Sequence, residues 1–144
     1  TLSKREPHRP TMAFVEKKIV GAGWRFPRDR VGAMAAAMGT IAPRLIHERL
    51  NVRGAQLKIE RFEKFRGKPI LVMTGSHDID HPRALDAATA DWLREKGAAA
   101  EFRYLPELGI EGNGHMMMME DNSDELAGLI ADWLGGAALR RAAA

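Results

Sequence analysis

Two side chains in this sequence are well suited to acid–base chemistry, and each ends a short glycine-containing turn. His115 ends the turn at residues 112–115, and Asp78 ends the turn at residues 75–78. A carboxylate can orient an imidazole through one ring nitrogen, while the other ring nitrogen takes a proton from a nucleophile. The pattern therefore predicts a general base at His115, with Asp78 as its acid partner.

The elements that would position these two residues can be identified from the hydrophobic pattern. Residues 70–74 form a continuous apolar run of strand length, which is typical of a parallel strand buried on both faces. Apolar residues then recur at helical spacing over 85–93, with Pro82 suited to the first turn and Gly97 to the position after the helix. Residues 100–105 alternate as the next strand, which Pro106 ends.

The strand order indicates that the two turns meet. The carboxyl ends of neighbouring parallel strands share one edge of a sheet, so Asp78 and His115 are expected within hydrogen-bonding distance. Gly112 and Gly114 would allow the sharp backbone that aims the ring. A last helix is predicted from residues 122–125, with a buried stripe and an end at the two glycines that follow residue 134. The members of that stripe are Leu126, Leu129, Ile130, Trp133 and Leu134.

Other residues at the same strand end compete for the acid role. Asp80 and His77 lie beside Asp78, which is also suited to capping a turn or helix. His77, His81 and Asp78 could be imagined as metal ligands, but they lack the helical spacing of two histidines four residues apart. We therefore expect no metal and no cofactor.

A run of four methionines follows the proposed base. Met116 and Met117 are predicted to line an acyl or alcohol pocket, since the thioether side chain adapts to irregular apolar surfaces. Alternatively, the run packs beneath the last helix.

Residues 1–66 are interpreted as an exposed arm followed by a lid-like helical segment. Residues 12–15 suit either a strand or the start of a helix, and Asp29 is a candidate N-cap. A later amphipathic helix is predicted from the spacing of Leu45, Ile46, Leu50 and Val52. Ordinary packing of helices within a domain would explain this pattern as well as a lid would.

Bulk composition excludes several classes of function. The 144 residues contain no cysteine, which excludes disulfides, thiolate zinc sites and cysteine nucleophiles. The net charge is only +3 and 6% of residues are aromatic, so a nucleic-acid partner is not expected. No apolar run approaches the roughly 20 residues of a membrane span.

The second half of the sequence resembles the carboxyl-terminal third of α/β-hydrolase fold enzymes over about residues 67–135. The run of Gly-Asn-Gly-His followed by methionines is similar to a smaller set of microbial esterases within that fold. The resemblance implies that His115 is the triad histidine and Asp78 the acid. In the smaller esterase set the acid is a glutamate after an earlier strand, for which Glu16 is the candidate. Residues 17–66 would then be an inserted cap.

The sequence departs from that family in lacking a nucleophile. It has no Gly-x-Ser-x-Gly elbow and no His-Gly-Gly oxyanion loop, and Ser76 lies beside the acid rather than on an elbow. Two parallel strands also make an incomplete sheet. We therefore expect residues 67–144 to be the carboxyl-terminal α/β portion of a serine hydrolase that cleaves small-molecule carboxylic esters through an acyl-enzyme.

The nucleophile would then come from an amino-terminal hydrolase portion, in the same gene product or in a second chain. This chain alone would be inactive. A non-catalytic α/β binding module, or a degenerate hydrolase relative, would instead use the methionine run for an apolar partner.

Overall fold

The amino-terminal part of the chain is helical in the computed structural model, which describes residues 5–50 and 58–142. Its elements are α1 at Met12–Phe14, a π-helical continuation at Val15–Val20, a 3-10 turn at Arg28–Arg30, α2 at Val31–Ala37 and α3 at Pro43–Arg49. The open choice at residues 12–15 is thus decided in favour of a helix. The Thr11 side chain caps it by accepting a hydrogen bond from the Phe14 amide at 3.2 Å.

Several predictions for this part need correction. Asp29 is not an N-cap, because it lies inside the 3-10 turn and Arg30 occupies the N-cap position of α2. The arm is not wholly exposed, since His8 and Ile41 form an antiparallel bridge with hydrogen bonds of 2.9 and 2.7 Å. Helix α3 confirms the predicted helix over its first residues, while Val52 lies outside the described residues.

The second part contains the predicted parallel strand pair. Strand β1 is Pro69–Thr74, helix α4 is Arg83–Glu95 and strand β2 is Ala99–Tyr104. The strands pair in parallel, and a 3-10 turn at Phe62–Phe65 precedes them. Only the last residue of β1 is fully buried, so the prediction of burial on both faces was wrong for most of the strand. A sheet of two strands with one connecting helix has too little structure packed on its two faces to bury both of them.

Helix α4 ends as the sequence predicts. Gly97 takes a positive φ of 88°, a conformation that an L side chain rarely adopts. The Gly97 amide bonds to the Arg94 carbonyl at 2.9 Å and the Ala98 amide to the Leu93 carbonyl at 3.0 Å. These two bonds form a Schellman motif, which turns the chain directly into β2.

Helix α5, Ser123–Ala142, begins where predicted but continues beyond it. Gly135 and Gly136 do not end the helix, because a helical glycine costs only about 1 kcal/mol and the alanine-rich sequence that follows favours helix. The predicted stripe is only partly buried. Leu126 and Trp133 are buried, whereas Ile130 and Leu134 are exposed.

Two apolar clusters hold the described residues together. The amino-terminal cluster is formed by buried side chains from the π-helix to α2: Val15, Val20, Phe26, Val31 and Met34. The strand-end cluster contains Leu105 and Ile110, which follow β2, and Leu126 of α5. Across residues 5–50 and 58–142, no helix has the length and apolarity to cross a membrane.

Candidate active site

The loops after β1 and β2 touch each other at the carboxyl end of the sheet. The amide of His77 donates to the carbonyl of Asn113 at 2.9 Å. Gly75 makes this approach possible, because a Cβ at that position would collide with the Asn113 carbonyl group. The two turns that carry Asp78 and His115 are therefore brought together through backbone contact.

Asp78 and His115 form the predicted side-chain contact. The distance from His115 Nδ1 to Asp78 Oδ2 is 3.1 Å, and the two side chains are 26% and 5% exposed. The other carboxylate oxygen, Oδ1, accepts hydrogen bonds from the amides of Asp80 at 3.0 Å and His81 at 2.9 Å. The turn thereby fixes one oxygen of Asp78 and presents the other to the imidazole.

The second ring nitrogen of His115 is the one available for chemistry. Among residues 5–50 and 58–142, no group hydrogen bonds to His115 Nε2, and the ring is partly exposed. A neutral imidazole that donates from Nδ1 keeps a free lone pair on Nε2. The contact with Asp78 therefore favours the tautomer that is protonated at Nδ1, which a general base acting through Nε2 requires.

The glycine-rich loop packs tightly against the turn at residues 21–24. Gly112 has a φ of 90°, and the Trp24 ring occupies the space that its side chain would need. The Trp24 amide bonds to the Gly112 carbonyl at 3.1 Å. Gly114 does not have a positive φ. A larger side chain would be crowded there, because the Cα of Gly23 lies 3.2 Å from where the Cβ of residue 114 would be. The predicted role of Gly114 in a sharp turn is thus replaced by a packing role.

Ser76, His77 and Asp80 take other positions. Ser76 Oγ accepts a hydrogen bond from the Gly112 amide at 3.0 Å, so its side chain joins the two loops, and it lies 2.7 Å from Nδ1 of the neighbouring His77. Asp80 is exposed, and its amide rather than its carboxylate contacts Asp78. Within the described part of the chain, no three His, Asp or Glu side chains are grouped to hold a metal ion.

Glu16 lies away from a strand end. It is exposed within the π-helix Val15–Val20. The strand that its assignment as the acid required is a helix, because Thr11 caps this segment and the chain continues as helix through Val20. The structure therefore removes the strand-end reason for choosing Glu16.

Met116 and Met117 pack in different directions. Met116 lies against the amino-terminal cluster and Met117 against the strand-end cluster. Both are half-buried, while Met118 is 65% exposed. The alternative of packing beneath α5 thus describes Met117, and Met118 offers the most free surface in the run.

Two features of the site were not found from the sequence. His81 Nδ1 lies 3.2 Å from Asp86 Oδ1, and its ring stacks on that of His115 with centroids 5.2 Å apart. Glu120, which is buried, binds the backbone of Gly114 and the side chain of Asn113. A charged residue that ends an apolar run is a signal that could have drawn attention to Glu120.

Part of this chain is similar to a protein that is named as a lipase. That protein, "Probable secreted lipase phiG" of Fungal sp. (strain ATCC 74256), is 39% identical over 66 residues. The matched residues are 46% of this chain and 18% of the relative, so they span less than a fifth of the relative's length. No protein-family model and no solved structure matches this chain. The similarity supports a lipase-like or hydrolase-like relationship.

Proposed function

We propose that this chain is the carboxyl-terminal part of a serine hydrolase that cleaves carboxylic esters. His115 serves as general base and Asp78 as the acid that orients it. The observation that carries the proposal is the 3.1 Å contact between His115 Nδ1 and the buried Asp78 carboxylate, which leaves Nε2 free for a nucleophile. The partial similarity to a protein named as a lipase supports the same class of reaction.

The reaction would proceed through an acyl-enzyme. Nε2 of His115 takes the proton of a serine hydroxyl as that oxygen attacks the ester carbonyl, and then gives the proton to the departing alcohol. In the second half, Nε2 takes a proton from water, whose oxygen attacks the acyl-serine carbonyl. The proton then returns to the serine oxygen when the acid leaves. Asp78 stabilises the protonated ring in both halves without taking a proton itself.

The serine and the oxyanion donors would come from an amino-terminal hydrolase portion outside this sequence. The half-buried strands support this proposal, since such a portion would extend and cover the sheet. Residues 1–66 would form the arm and the lid-like segment, and residues 67–144 the α/β portion. Exposed apolar side chains in the first segment support a lid function; these include Trp24, Leu45 and Leu50.

The substrate pocket would include the methionine run. Met116 and Met117 would form its floor, because each is anchored in an apolar cluster and still half-exposed. Met118 would contact the acyl or alcohol group most directly. Short-chain esters are the first substrates to test.

The decisive measurement is turnover of short-chain p-nitrophenyl esters by the full-length gene product. His115→Ala is expected to lower kcat by roughly 10⁶-fold, the loss seen when the histidine of a catalytic triad is removed. His8→Ala, in the amino-terminal arm, is the matched control and should leave turnover unchanged. A fluorophosphonate probe should label a serine upstream of this chain and none within it. Full activity in His115→Ala, or labelling of Ser76, would refute the proposal.

A second candidate is a non-catalytic or degenerate relative that binds an apolar partner. The exposure of Met118 and Met119, at 65% and 39%, favours it. A folded full-length protein with no ester turnover and no probe labelling would support this candidate. Loss of partner binding in Met118→Gln would then locate the contact.

A further inference from the structure

Glu120 is a buried carboxylate that contacts the two residues before the candidate base. It is 3% exposed, and its contacts are with uncharged donors: the Asn113 side-chain amide at 2.5 Å and the Gly114 amide at 2.7 Å. A buried carboxylate is costly unless hydrogen bonds fill its lone pairs. Asn113 and Gly114 therefore satisfy the Glu120 carboxylate, and a loop movement that breaks both bonds would leave the carboxylate unpaired.

The hydrogen bonds around Glu120 have defined donors and acceptors. A carboxylate only accepts, so the Asn113 amide nitrogen must face it. That nitrogen also donates to Asn122 Oδ1 at 2.7 Å, and the Asn122 amide returns a bond to Asn113 Oδ1 at 3.2 Å. The start of α5 thus holds Asn113 in one orientation.

The two residues bound by Glu120 are the two that precede His115. Glu120 Oε2 holds the Asn113 side chain and Oε1 holds the Gly114 backbone. The loop is also enclosed from two sides, because neither Gly75 nor Gly23 leaves room for a Cβ beside it. Only a narrow range of positions is left for the peptide that carries the imidazole.

We propose that Glu120 is a positioning residue that holds His115 Nδ1 on Asp78 by fixing the Asn113–Gly114 backbone. Its catalytic meaning rests on the proposed function, since the aimed ring is then the general base. The positioning itself is independent of activity. It concerns the tautomer and orientation of one imidazole, which can be measured in this chain.

The test is Glu120→Gln, which keeps the shape of the side chain and replaces one acceptor by a donor. The new NH₂ group must face either the Asn113 amide or the Gly114 amide, so one of the two bonds is lost. We expect ¹H–¹⁵N spectra of the imidazole to show His115 protonated at Nδ1 in the unmodified chain and a mixture of tautomers in the variant. In the full-length gene product, kcat should fall by about a hundredfold with KM changed less than twofold, because the base and not the substrate is displaced.

Glu111→Gln is the matched control. It makes the same chemical change at an exposed position of the same loop, where, within residues 5–50 and 58–142, the backbone carbonyl of residue 111 is hydrogen-bonded and the side chain is not. It should leave both the imidazole spectrum and kcat unchanged. If Glu120→Gln does not fold, Glu120→Asp takes its place, since the shorter carboxylate keeps its charge and can reach only one of its two partners.

The outcomes separate the two proposals. A folded Glu120→Gln or Glu120→Asp variant with the unmodified His115 spectrum overturns the positioning role, whatever the activity. If that happens while His115→Ala abolishes turnover, the proposed function stands alone. If His115→Ala leaves turnover intact but the Glu120 variants disturb the His115 tautomer, the positioning role stands and the proposed function falls.

Discussion

Two Asp–His pairs lie side by side at the end of the sheet, and they are built differently. In the first, Asp78 contacts His115 at 3.1 Å across 37 residues of sequence. In the second, Asp86 contacts His81 at 3.2 Å across five residues. The two imidazole rings stack at an interplanar angle of 18°, so the two pairs are in direct contact.

The difference lies in what holds each carboxylate. The second oxygen of Asp78 accepts two backbone amides of its own turn, whereas that of Asp86 accepts the hydroxyl of Thr74 at the end of β1. The His115 ring is also less exposed than the His81 ring, at 26% against 41% of its side chain. The long-range pair is thus positioned by two loops together, while the local pair links the turn before α4 to the first turn of that helix.

The carboxylate–imidazole distance therefore does not distinguish His115 from His81, whereas the structure around each ring does. Both pairs have similar distances, but only His115 lies in a loop fixed on three sides by Gly75, Gly23 and Glu120. A ring that must act at a defined atom benefits from such surroundings. We therefore expect the two pairs to respond very differently to matched substitutions.

The largest difference is expected for the two aspartates. Asp78→Asn should lower kcat/KM of the full-length gene product by about 10³–10⁴-fold, because an asparagine can hold His115 in the wrong tautomer. Asp86→Asn should lower it less than about threefold, since His81 has no assigned role in proton transfer. Ester hydrolysis measures both. Equal losses would show that the two pairs act together, contrary to the proposed division.

The next largest effect concerns the backbone contact that only the long-range pair requires. Gly75→Ala would force a Cβ into the Asn113 carbonyl group and push the two loops apart, at a cost of about 3 kcal/mol in the free energy of unfolding. Gly128→Ala is the control: its Cβ meets open space within α5, so it should stabilise by about 0.5–1 kcal/mol. Denaturant unfolding compares the two. A neutral Gly75→Ala would mean that the loops can separate freely.

Features that follow from local pattern and from strand order could be predicted from the sequence. The parallel strand pair, α4 with its Gly97 end, and the Asp78–His115 contact were predicted because each follows from hydrophobic pattern and from where strand ends meet. The Glu120 contacts were not predicted, because they depend on how the loop folds back on itself. No periodic pattern in the sequence indicates that the carboxylate after the methionine run is buried.

The errors have similar physical causes. Helix α5 passes through Gly135 and Gly136, because the cost of helical glycine is small beside that of interrupting a favourable helix. The Ile130 and Leu134 side chains were expected in a core and are exposed, since a stripe is buried only where a partner surface exists. Local sequence reports that a face is apolar and says nothing about what covers it.

The smallest of the three effects tests the local pair from its other side. The Thr74 hydroxyl donates to Asp86 Oδ2, and Thr74 is fully buried. Thr74→Val keeps the shape but leaves this oxygen without its donor, so the free energy of unfolding should fall by about 1–2 kcal/mol. Thr74→Ser retains the hydroxyl and should lose less. Because Asp78 is anchored independently by its own turn, Thr74→Val should not alter the His115 imidazole spectrum; a change there would show that the stacked rings couple the two pairs.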